Sequence, residues 1–166
     1  GDLANVGALA IGLSTIAALR REDAAEEILV SQWRAVPSDV VRQIKDAGAG
    51  IVPSKALARA LAMSVGALHV IGGGQLVREN QSRAALGLLL ARTGIGRLTG
   101  GRVVAVGLGV SPMGQGAAAR LWRRILKGCE AIAVRDAGSR ANVAALTGRD
   151  PVVAAEAVVQ PFRTHI

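Results

Sequence analysis

The sequence predicts an α/β domain with a doubly wound, mainly parallel sheet, and three observations support this. Short apolar runs of strand length alternate with longer segments of helical spacing. The 166 residues are 51% hydrophobic, so one domain can bury a sizeable core. The chain has 21 glycines and only 2% aromatic residues, which suits close packing of helices on a sheet. We therefore expect a single Rossmann-like domain over residues 1–166.

The first part of the chain reads as two helix–strand alternations. The apolar helix ends at Arg20 and Arg21, whose charges complement the helix dipole. Pro37 and Ser38 are typical of a helix start. In order, the predictions are a helix over 3–20, a strand over 27–33, a helix over 37–45, an extended segment at 51–52 and a helix over 53–63.

The second part continues the alternation more regularly. A strand over 67–71 leads through three glycines and a polar stretch to a helix that we expect to end near Thr93 and Gly94. Further elements are a strand over 102–106, a helix over 117–126, a strand over 131–134, a helix ending near Leu146 and an apolar segment over 151–155. Strands spaced by helices in this way imply parallel pairing.

Parallel strands place their carboxyl ends along one edge, where ligands of such sheets bind. We therefore expect three loops to converge: Gly72–Gln75, Gly107–Pro112 and Arg135–Asp136.

Three consecutive glycines, Gly72 to Gly74, directly follow a strand. Residues without Cβ atoms let an anionic ligand approach backbone N–H groups. Polar residues follow at Gln75, Arg78, Asn80, Gln81 and Ser82, and they offer donors to hydroxyls or phosphate. A tight strand-to-helix connection without a ligand remains the alternative, with part of the polar cluster capping the helix.

Arg135 and Asp136 close the strand over 131–134. A guanidinium at this edge is suited to bidentate capture of a carboxylate or phosphate. The alternative is a structural ion pair with Asp136 or Asp2. Asp136 is also placed to cap the next helix, with Ser139 three residues on.

The sequence lacks the motifs expected for a dinucleotide cofactor, for specific nucleic-acid binding or for a catalytic histidine. Gly107-x-Gly109 has no third glycine at the dinucleotide spacing, so we expect no nicotinamide or flavin cofactor. The net charge is +8, but the arginines are scattered without interleaved aromatics, which argues against specific nucleic-acid binding. His69, inside an apolar strand, is interpreted as a core or sheet-edge residue.

A single cysteine, Cys129, excludes an internal disulfide, and the separation of His69 from His165 leaves no metal cluster. We expect a cytoplasmic protein without metal or cofactor. The apolar stretch over 4–19 favours a buried helix over a membrane span.

Four motifs follow one another along the chain: Gly1-Asp2, the Val70–Leu76 strand with its glycines, the Val104–Pro112 strand and turn, and Ala133–Ser139 with its central Arg-Asp. In these motifs and their order the chain resembles the polysaccharide pyruvyl transferase family. The resemblance implies the N-terminal Rossmann-like half of a glycosyltransferase-B-like architecture. The first strand and the C-terminal domain of the family would then lie outside these 166 residues.

The resemblance implies an enzyme of cell-surface polysaccharide synthesis that moves pyruvyl from phosphoenolpyruvate onto a saccharide acceptor as a ketal. No residue stands out as the general acid. The basic surface would permit peripheral membrane association, and apolar area left without the second domain would favour a homo-oligomer. The expected substrate-binding residues are Asp2, Gly72, Gly73, Gly74, Gln75, Gln81, Ser82, Gly107, Gly109, Ser111, Arg135 and Asp136.

Two other functions remain open from the residues. One is a nucleotide-sugar glycosyltransferase of the same architecture, and the other is a non-catalytic binding domain.

Overall fold

The structure is a computed structural model, and it describes residues 6–23, 27–32, 37–53, 61–72 and 77–153. Helices and strands alternate along these residues. The helices are α1 (Val6–Arg21), α2 (Ser38–Asp46), α3 (Arg83–Leu98), α4 (Ala117–Lys127) and α5 (Ala137–Thr147). The strands are β1 (Leu29–Gln32), β2 (Gly50–Pro53), β3 (His69–Gly72), β4 (Val103–Leu108), β5 (Ala131–Val134) and β6 (Val152–Val153).

The strands form two sheets, and every pairing is parallel. One sheet has the order β1-β2 and the other has the order β3-β4-β5-β6. Val30 lies opposite Ile51 in the first sheet, and Ile71 lies opposite Ala105 in the second. The expected parallel α/β fold is confirmed.

Helices cover both faces of the strands, as a doubly wound topology requires. Val70 of β3 packs in a cluster with α1 and α2, whereas its neighbour Ile71 packs in a cluster with α3, α4 and α5. Successive strand residues point to opposite faces, so the two groups of helices lie on opposite sides of β3.

The larger cluster forms the main core. Trp122 of α4 and Leu108 of β4 are fully buried there, and every residue of β4 is buried. The smaller cluster joins α1 and α2 to β1 and β2, with Ile44 of α2 at its centre. Parallel strands that are covered on both faces have continuous apolar sequences, and for this reason β4 could be predicted from the sequence.

Several element bounds differ from the sequence predictions. The prediction that α3 ends near Gly94 is wrong, because the helix continues through Gly96 to Leu98. Glycine inside a helix is tolerated when packing requires it, and a Cβ atom at Gly96 would lie 2.6 Å from Cδ2 of His69. β4 runs two residues further than predicted, to Leu108, and β1 and β6 are shorter than their predicted runs.

The predicted helix over 53–63 lies mostly outside the described residues, although Leu61 and Ala62 are helical. Among the described helices, none combines the length and the hydropathy needed to cross a bilayer.

Candidate functional site

The carboxyl ends of three strands meet at one edge of the four-stranded sheet. Downstream of β3, Val77 pairs in parallel with Val110, beyond the end of β4. The amide of Val77 donates to the carbonyl of Gly109, and the amide of Ser111 donates to the carbonyl of Val77. The amide of Arg135 donates to the carbonyl of Leu108 at 3.0 Å. The loops after β4 and β5 and the segment that begins at Val77 therefore converge on one rim, which we call the carboxyl rim.

The loop after β4 is held by side chains of α5. The hydroxyl of Ser139 accepts a hydrogen bond from the amide of Val110 at 3.0 Å. The side-chain amide of Asn142 donates to the carbonyl of the same residue at 2.8 Å. Both backbone groups of Val110 are thus satisfied although the residue is buried, and this fixes the loop against the next strand.

Arg135 and Asp136 form an ion pair at this rim. Nε of Arg135 lies 2.7 Å from Oδ2 of Asp136, and both side chains are nearly half exposed. Oδ1 of Asp136 accepts from the amide of Ser139 at 2.7 Å and caps α5. That backbone hydrogen bond, together with the Arg135 guanidinium, holds the pKa of Asp136 below its usual value. The capping prediction is confirmed, and the ion pair that the sequence left as an alternative is present.

Two members of the predicted polar cluster have structural partners. Oε1 of Gln81 accepts from the indole Nε1 of Trp122 at 2.7 Å, which satisfies the only polar atom of a fully buried side chain. Ser82 is the N-cap of α3, and its hydroxyl accepts from the amide of Ala85. The Gln81 contact anchors the segment ahead of α3 to α4, and the Ser82 contact caps α3 itself.

The glycines of the rim differ in what they permit. Gly107 has a φ of 63°, a conformation that side chains rarely adopt, and it lies where the register between β4 and β5 shifts. A Cβ atom at Gly72 would lie 3.2 Å from the carbonyl oxygen of Val106, so the strands approach closely there. Ser111 is partly buried beside Val77.

The structure brings all eight of the predicted site residues that it describes to this rim. Gly72, Gln81, Ser82, Gly107, Gly109, Ser111, Arg135 and Asp136 lie at the ends of β3, β4 and β5 or in the loops that follow them. Asp2, Gly73, Gly74 and Gln75 lie outside the described residues.

A small pocket opens beside the start of α4, and the sequence analysis did not single it out. Its volume is about 210 Å³, and its walls are formed by Glu79, Gln81, Arg83 and the residues Gly116 to Ala119. The N-cap of α4 is Gly116, which supplies no side-chain hydrogen bond, and the first turn has no acidic residue. Its amides are therefore left without a side-chain cap, as the sequence signal of a glycine ahead of an alanine run could have suggested. Glu79 is held at the pocket by accepting a hydrogen bond from the amide of Gly114.

His69 lies away from this rim, at the amino end of β3. Its ring packs against Gly96 of α3, and Nε2 is buried without a hydrogen-bond partner among the described residues. Burial lowers the pKa of His69. A backbone hydrogen bond with Ser64 opposes this shift in part, and the charge of Arg92 adds a smaller lowering. The placement supports the interpretation of His69 as a packing residue.

Cys129 is buried in the main core, and burial raises the pKa of its thiol to about 11. It is therefore a packing residue without nucleophilic character at neutral pH. Within the described ranges, no group of three or more His, Cys, Asp or Glu side chains is placed to hold a metal ion.

Comparison with known proteins gives one match. A family model described as polysaccharide pyruvyl transferase matches residues 5–160. No curated protein matches the chain, and no solved structure does. The family model spans nearly the whole sequence, and three of the four motifs quoted above lie within the matched residues. The chain therefore belongs to the polysaccharide pyruvyl transferase family.

Proposed function

We propose that the chain is the donor-binding part of a transferase that moves the pyruvyl unit of phosphoenolpyruvate onto two hydroxyls of a saccharide as a cyclic ketal. The observation that carries the proposal is the carboxyl rim. There, the loops after β4 and β5 and the segment that begins at Val77 come together beside the half-exposed guanidinium of Arg135. Family membership supports the transferase class, and the rim supplies groups suited to a small anion.

The chemistry demands two kinds of help from the protein. Protonation of the enol methylene leaves a cationic carbon that a sugar hydroxyl attacks. Phosphate departs, and a second hydroxyl closes the ketal. A positioned acid must deliver the proton, and fixed positive groups must hold the carboxylate and the departing phosphate. Neither the sequence nor the described part of the rim presents an evident acid, so we assign only binding roles here.

Arg135 is our candidate for the donor carboxylate. Its guanidinium lies at the end of β5 and is only partly committed to Asp136, through Nε. Salt bridges this exposed stabilise little, so the arginine can exchange or share its carboxylate partner at low cost.

The pocket at α4 is our candidate for the phosphate. Arg83 is one of its lining residues, the first turn of α4 supplies positive dipole charge, and the Glu79 carboxylate is already engaged by the amide of Gly114. Gln81 lines this pocket, and the hydrogen bond that its side chain accepts from Trp122 fixes it there.

Calorimetric titration with phosphoenolpyruvate tests the proposal on the chain itself. We expect Arg135→Ala to weaken binding at least about tenfold, which is the usual scale for losing a charge-assisted hydrogen bond. Arg102→Ala is the matched control. Arg102 is equally exposed and makes a similar pair with Glu130, but it lies just ahead of β4, at the opposite edge of the sheet.

Three outcomes would contradict the proposal in different ways. Equal losses in the two variants would remove the rim as the donor site. Binding of a nucleotide diphosphate sugar without binding of phosphoenolpyruvate would favour the glycosyltransferase alternative. Failure of the longest available form of the protein to release phosphate from phosphoenolpyruvate, with any saccharide acceptor tried, would favour a non-catalytic binding domain.

A further inference from the structure

The helices α3 and α4 lie side by side on one face of the four-stranded sheet and run in the same direction. Both pack on the main core cluster. The segment ahead of α3 is joined to α4 by the hydrogen bond that Gln81 accepts from Trp122 at 2.7 Å. At the other end, Nη1 of Arg97 lies 2.7 Å from the position that a Cβ atom at Gly128 would take, just past the end of α4. The two helices therefore have neighbouring outer surfaces.

The outer surface of α3 is apolar. Leu86, Thr93 and Gly96 are buried on the inner side of this helix. Residues spaced alternately by four and three positions lie together on one side of an α-helix, and the row opposite to the buried side has no polar side chain. This row consists of Ala84, Leu88, Ala91, Ile95 and Leu98. Ala84 and Ala91 are exposed, and Leu98 is 89% exposed, so the row faces solvent for much of its length.

A neighbouring turn extends this apolar row. Val65 is 61% exposed, and the amide of the next residue, Gly66, donates to the hydroxyl of Thr99 at 2.7 Å. This hydrogen bond holds Val65 close to the carboxyl-terminal end of α3, where Leu98 lies. Val65 and Leu98 are two of the three large hydrophobic residues that are exposed in the part of the chain that the structure describes. Exposed apolar area is thus concentrated at this end of α3.

The outer surface of α4 is basic. Trp122 and Ile125 are buried on the inner side of this helix, and the row opposite to them consists of the exposed residues Arg120, Arg124 and Lys127. α3 contains three arginines and α4 contains four basic residues, and neither helix contains Asp or Glu. The two neighbouring helices therefore combine an apolar row with a basic row, and we call this combined surface the α3–α4 surface.

Size and charge indicate which partner suits the α3–α4 surface. The apolar row from Ala84 to Leu98 is about 21 Å long and one helix wide, so a second copy of the chain would bury about 200 Å² of it, against about 800 Å² per partner in a stable complex. Docking of two copies would also bring their basic rows together, and like charges repel. A bilayer that contains anionic lipids instead offers negative charge and an apolar interior in one plane. Each Arg or Lys near such a surface strengthens binding about fivefold.

We propose that the α3–α4 surface docks on an anionic lipid bilayer, with the apolar row of α3 in the headgroup region and the basic row of α4 against the anionic head groups. The two helices then lie parallel to the bilayer plane. The carboxyl rim lies at the amino ends of these helices, so it faces along the bilayer and stays open to substrates. The residues of the two rows are not those assigned to the donor, so the proposal is independent of the proposed function.

Co-sedimentation with lipid vesicles tests the proposal. One set of vesicles contains phosphatidylcholine alone, and the other contains phosphatidylcholine with roughly one third phosphatidylglycerol. We expect binding to the anionic vesicles only, and loss of this binding at about 1 M salt, where charges are screened within a few ångströms.

A pair of charge reversals locates the basic part of the surface. Arg124→Glu combined with Lys127→Glu should weaken binding to the anionic vesicles at least about tenfold. The matched control combines Arg42→Glu with Lys45→Glu. These two residues are exposed at the same spacing on α2, which packs in the other core cluster, and the change in net charge is the same. The control should bind at least about tenfold more tightly than the α4 variant.

A single substitution tests the apolar part. Leu98→Gln should weaken binding to the anionic vesicles at least about threefold, because an apolar side chain no longer enters the headgroup region. Its fold should be unaffected, since Leu98 is 89% exposed. The matched control is Val152→Gln, at a residue of β6 that is 55% exposed, and it should bind as the natural chain does. Phosphoenolpyruvate titration of the same variants should give unchanged affinity, so the donor site and the membrane surface are tested separately.

Four outcomes would overturn the proposal. Equal weakening by the two pairs of charge reversals would mean that net charge alone explains the binding. Equal binding to both kinds of vesicle, or binding to neither, would exclude an anionic bilayer as the partner. Undiminished binding of Leu98→Gln would remove the apolar row from the interface. Dimerisation that Leu98→Gln abolishes, measured by sedimentation velocity at increasing protein concentration, would assign the surface to a second copy of the chain.

Discussion

The two sheets differ in how much core they enclose. Among the described residues, the four-stranded sheet with α3, α4 and α5 surrounds seventeen buried residues, whereas the two-stranded sheet with α1 and α2 surrounds six. β4 has a strand on each side and is buried along its whole length, whereas Leu29, Val30 and Ser31 of β1 are only partly buried. The described residues of the candidate site lie on the four-stranded part, whose buried core supports their loops.

The difference shows that local stability in this chain depends on how many paired neighbours a strand has. A two-stranded sheet is marginal by itself, and more strands or a packed helix are needed to stabilise it. We expect the two-stranded part to open at a lower free energy than the four-stranded part.

The largest expected effect is the loss of a core side chain on each side. Trp122→Ala should lower the free energy of unfolding by about 3–5 kcal/mol, because it leaves a cavity in the main core and removes the partner of Gln81. Ile44→Ala, at a site equally buried in α2, should cost about 2–4 kcal/mol. Urea unfolding followed by circular dichroism measures both.

Hydrogen exchange separates the two variants. Ile44→Ala should speed exchange in β1 and leave β4 protected, whereas Trp122→Ala should speed exchange in β4. If Ile44→Ala weakens protection of β4 to the same degree, the two sheets unfold as one unit and the comparison fails.

The same contrast explains which parts of the fold could be predicted from sequence. The order of elements and the parallel pairing followed from apolar runs such as Val103–Val106, because a strand buried on both faces needs no polar alternation. The division into two sheets, with β1 and β2 in one and β3 to β6 in the other, had no local signal in the sequence. It depends on which strands pair and not on the conformational preference of any residue. The continuation of α3 past Gly94 was missed for a similar reason. A glycine ends a helix by preference, but the packing of Gly96 against His69 is a tertiary contact.

The candidate site could be predicted from the sequence only in part. Asp136 with Ser139 three residues later predicted the cap of α5 correctly, because capping is local in sequence. The role of Gln81 as the partner of Trp122 could not be predicted, since 41 positions separate the two residues. A glycine ahead of an alanine run indicates the uncapped start of α4, but the pocket itself was missed because its walls join Glu79 to Gly116, which lie far apart in the sequence.

Two glycines of α3 offer a second test, with effects of opposite sign. Gly96→Ala should lower the free energy of unfolding by about 1–3 kcal/mol, since its Cβ atom would lie 2.6 Å from the His69 ring and 3.2 Å from the carbonyl oxygen of Ser64. Gly94→Ala is the matched control, because no atom lies within 4 Å of its Cβ position. It should raise the free energy of unfolding by about 0.5–1 kcal/mol through helix propensity. Equal effects in urea unfolding would show that α3 does not hold His69 as described.

The cap of α5 gives a smaller effect with a defined pH dependence. Asp136→Ala should cost about 1 kcal/mol of stability at pH 7, because it leaves the amide of Ser139 without its acceptor. Asp136→Asn keeps an acceptor oxygen and loses the charge, so its cost should be lower. The folded-state pKa of Asp136 lies below the ordinary value of 3.8, so the carboxylate stabilises the fold above that pH.

The advantage of the natural chain over Asp136→Asn should therefore be full at neutral pH. It should disappear as the pH falls through the folded-state pKa, below the ordinary value of 3.8. Urea midpoints measured across the acid range test this. An advantage that persists at the lowest pH would mean that charge is not what distinguishes the two caps.

The smallest effect concerns the one side-chain hydrogen bond that the structure describes between α3 and β1. An Nη of Arg92 donates to the hydroxyl of Ser31 at 2.7 Å, on the face opposite to α1, while its Nε is buried without a partner among the described residues. Burial also lowers the pKa of Arg92, which marks the cost of holding the guanidinium there. A double-mutant cycle over Ser31→Ala and Arg92→Leu should give a coupling energy below about 1 kcal/mol, because the bond is only partly buried. Ser14→Ala, at an exposed hydroxyl of α1, is the control and should show no coupling to Arg92.

The double-mutant cycle also distinguishes independent opening of the two sheets from cooperative opening, although the coupling energy itself is small. If the two parts open independently, Ser31→Ala should speed exchange at the amides of β1 and leave those of β4 unchanged, since the bond then stabilises only the docked state of β1. A coupling energy above about 1 kcal/mol, together with changed amide exchange in both sheets, would mean that Arg92 joins the two sheets into one cooperative unit.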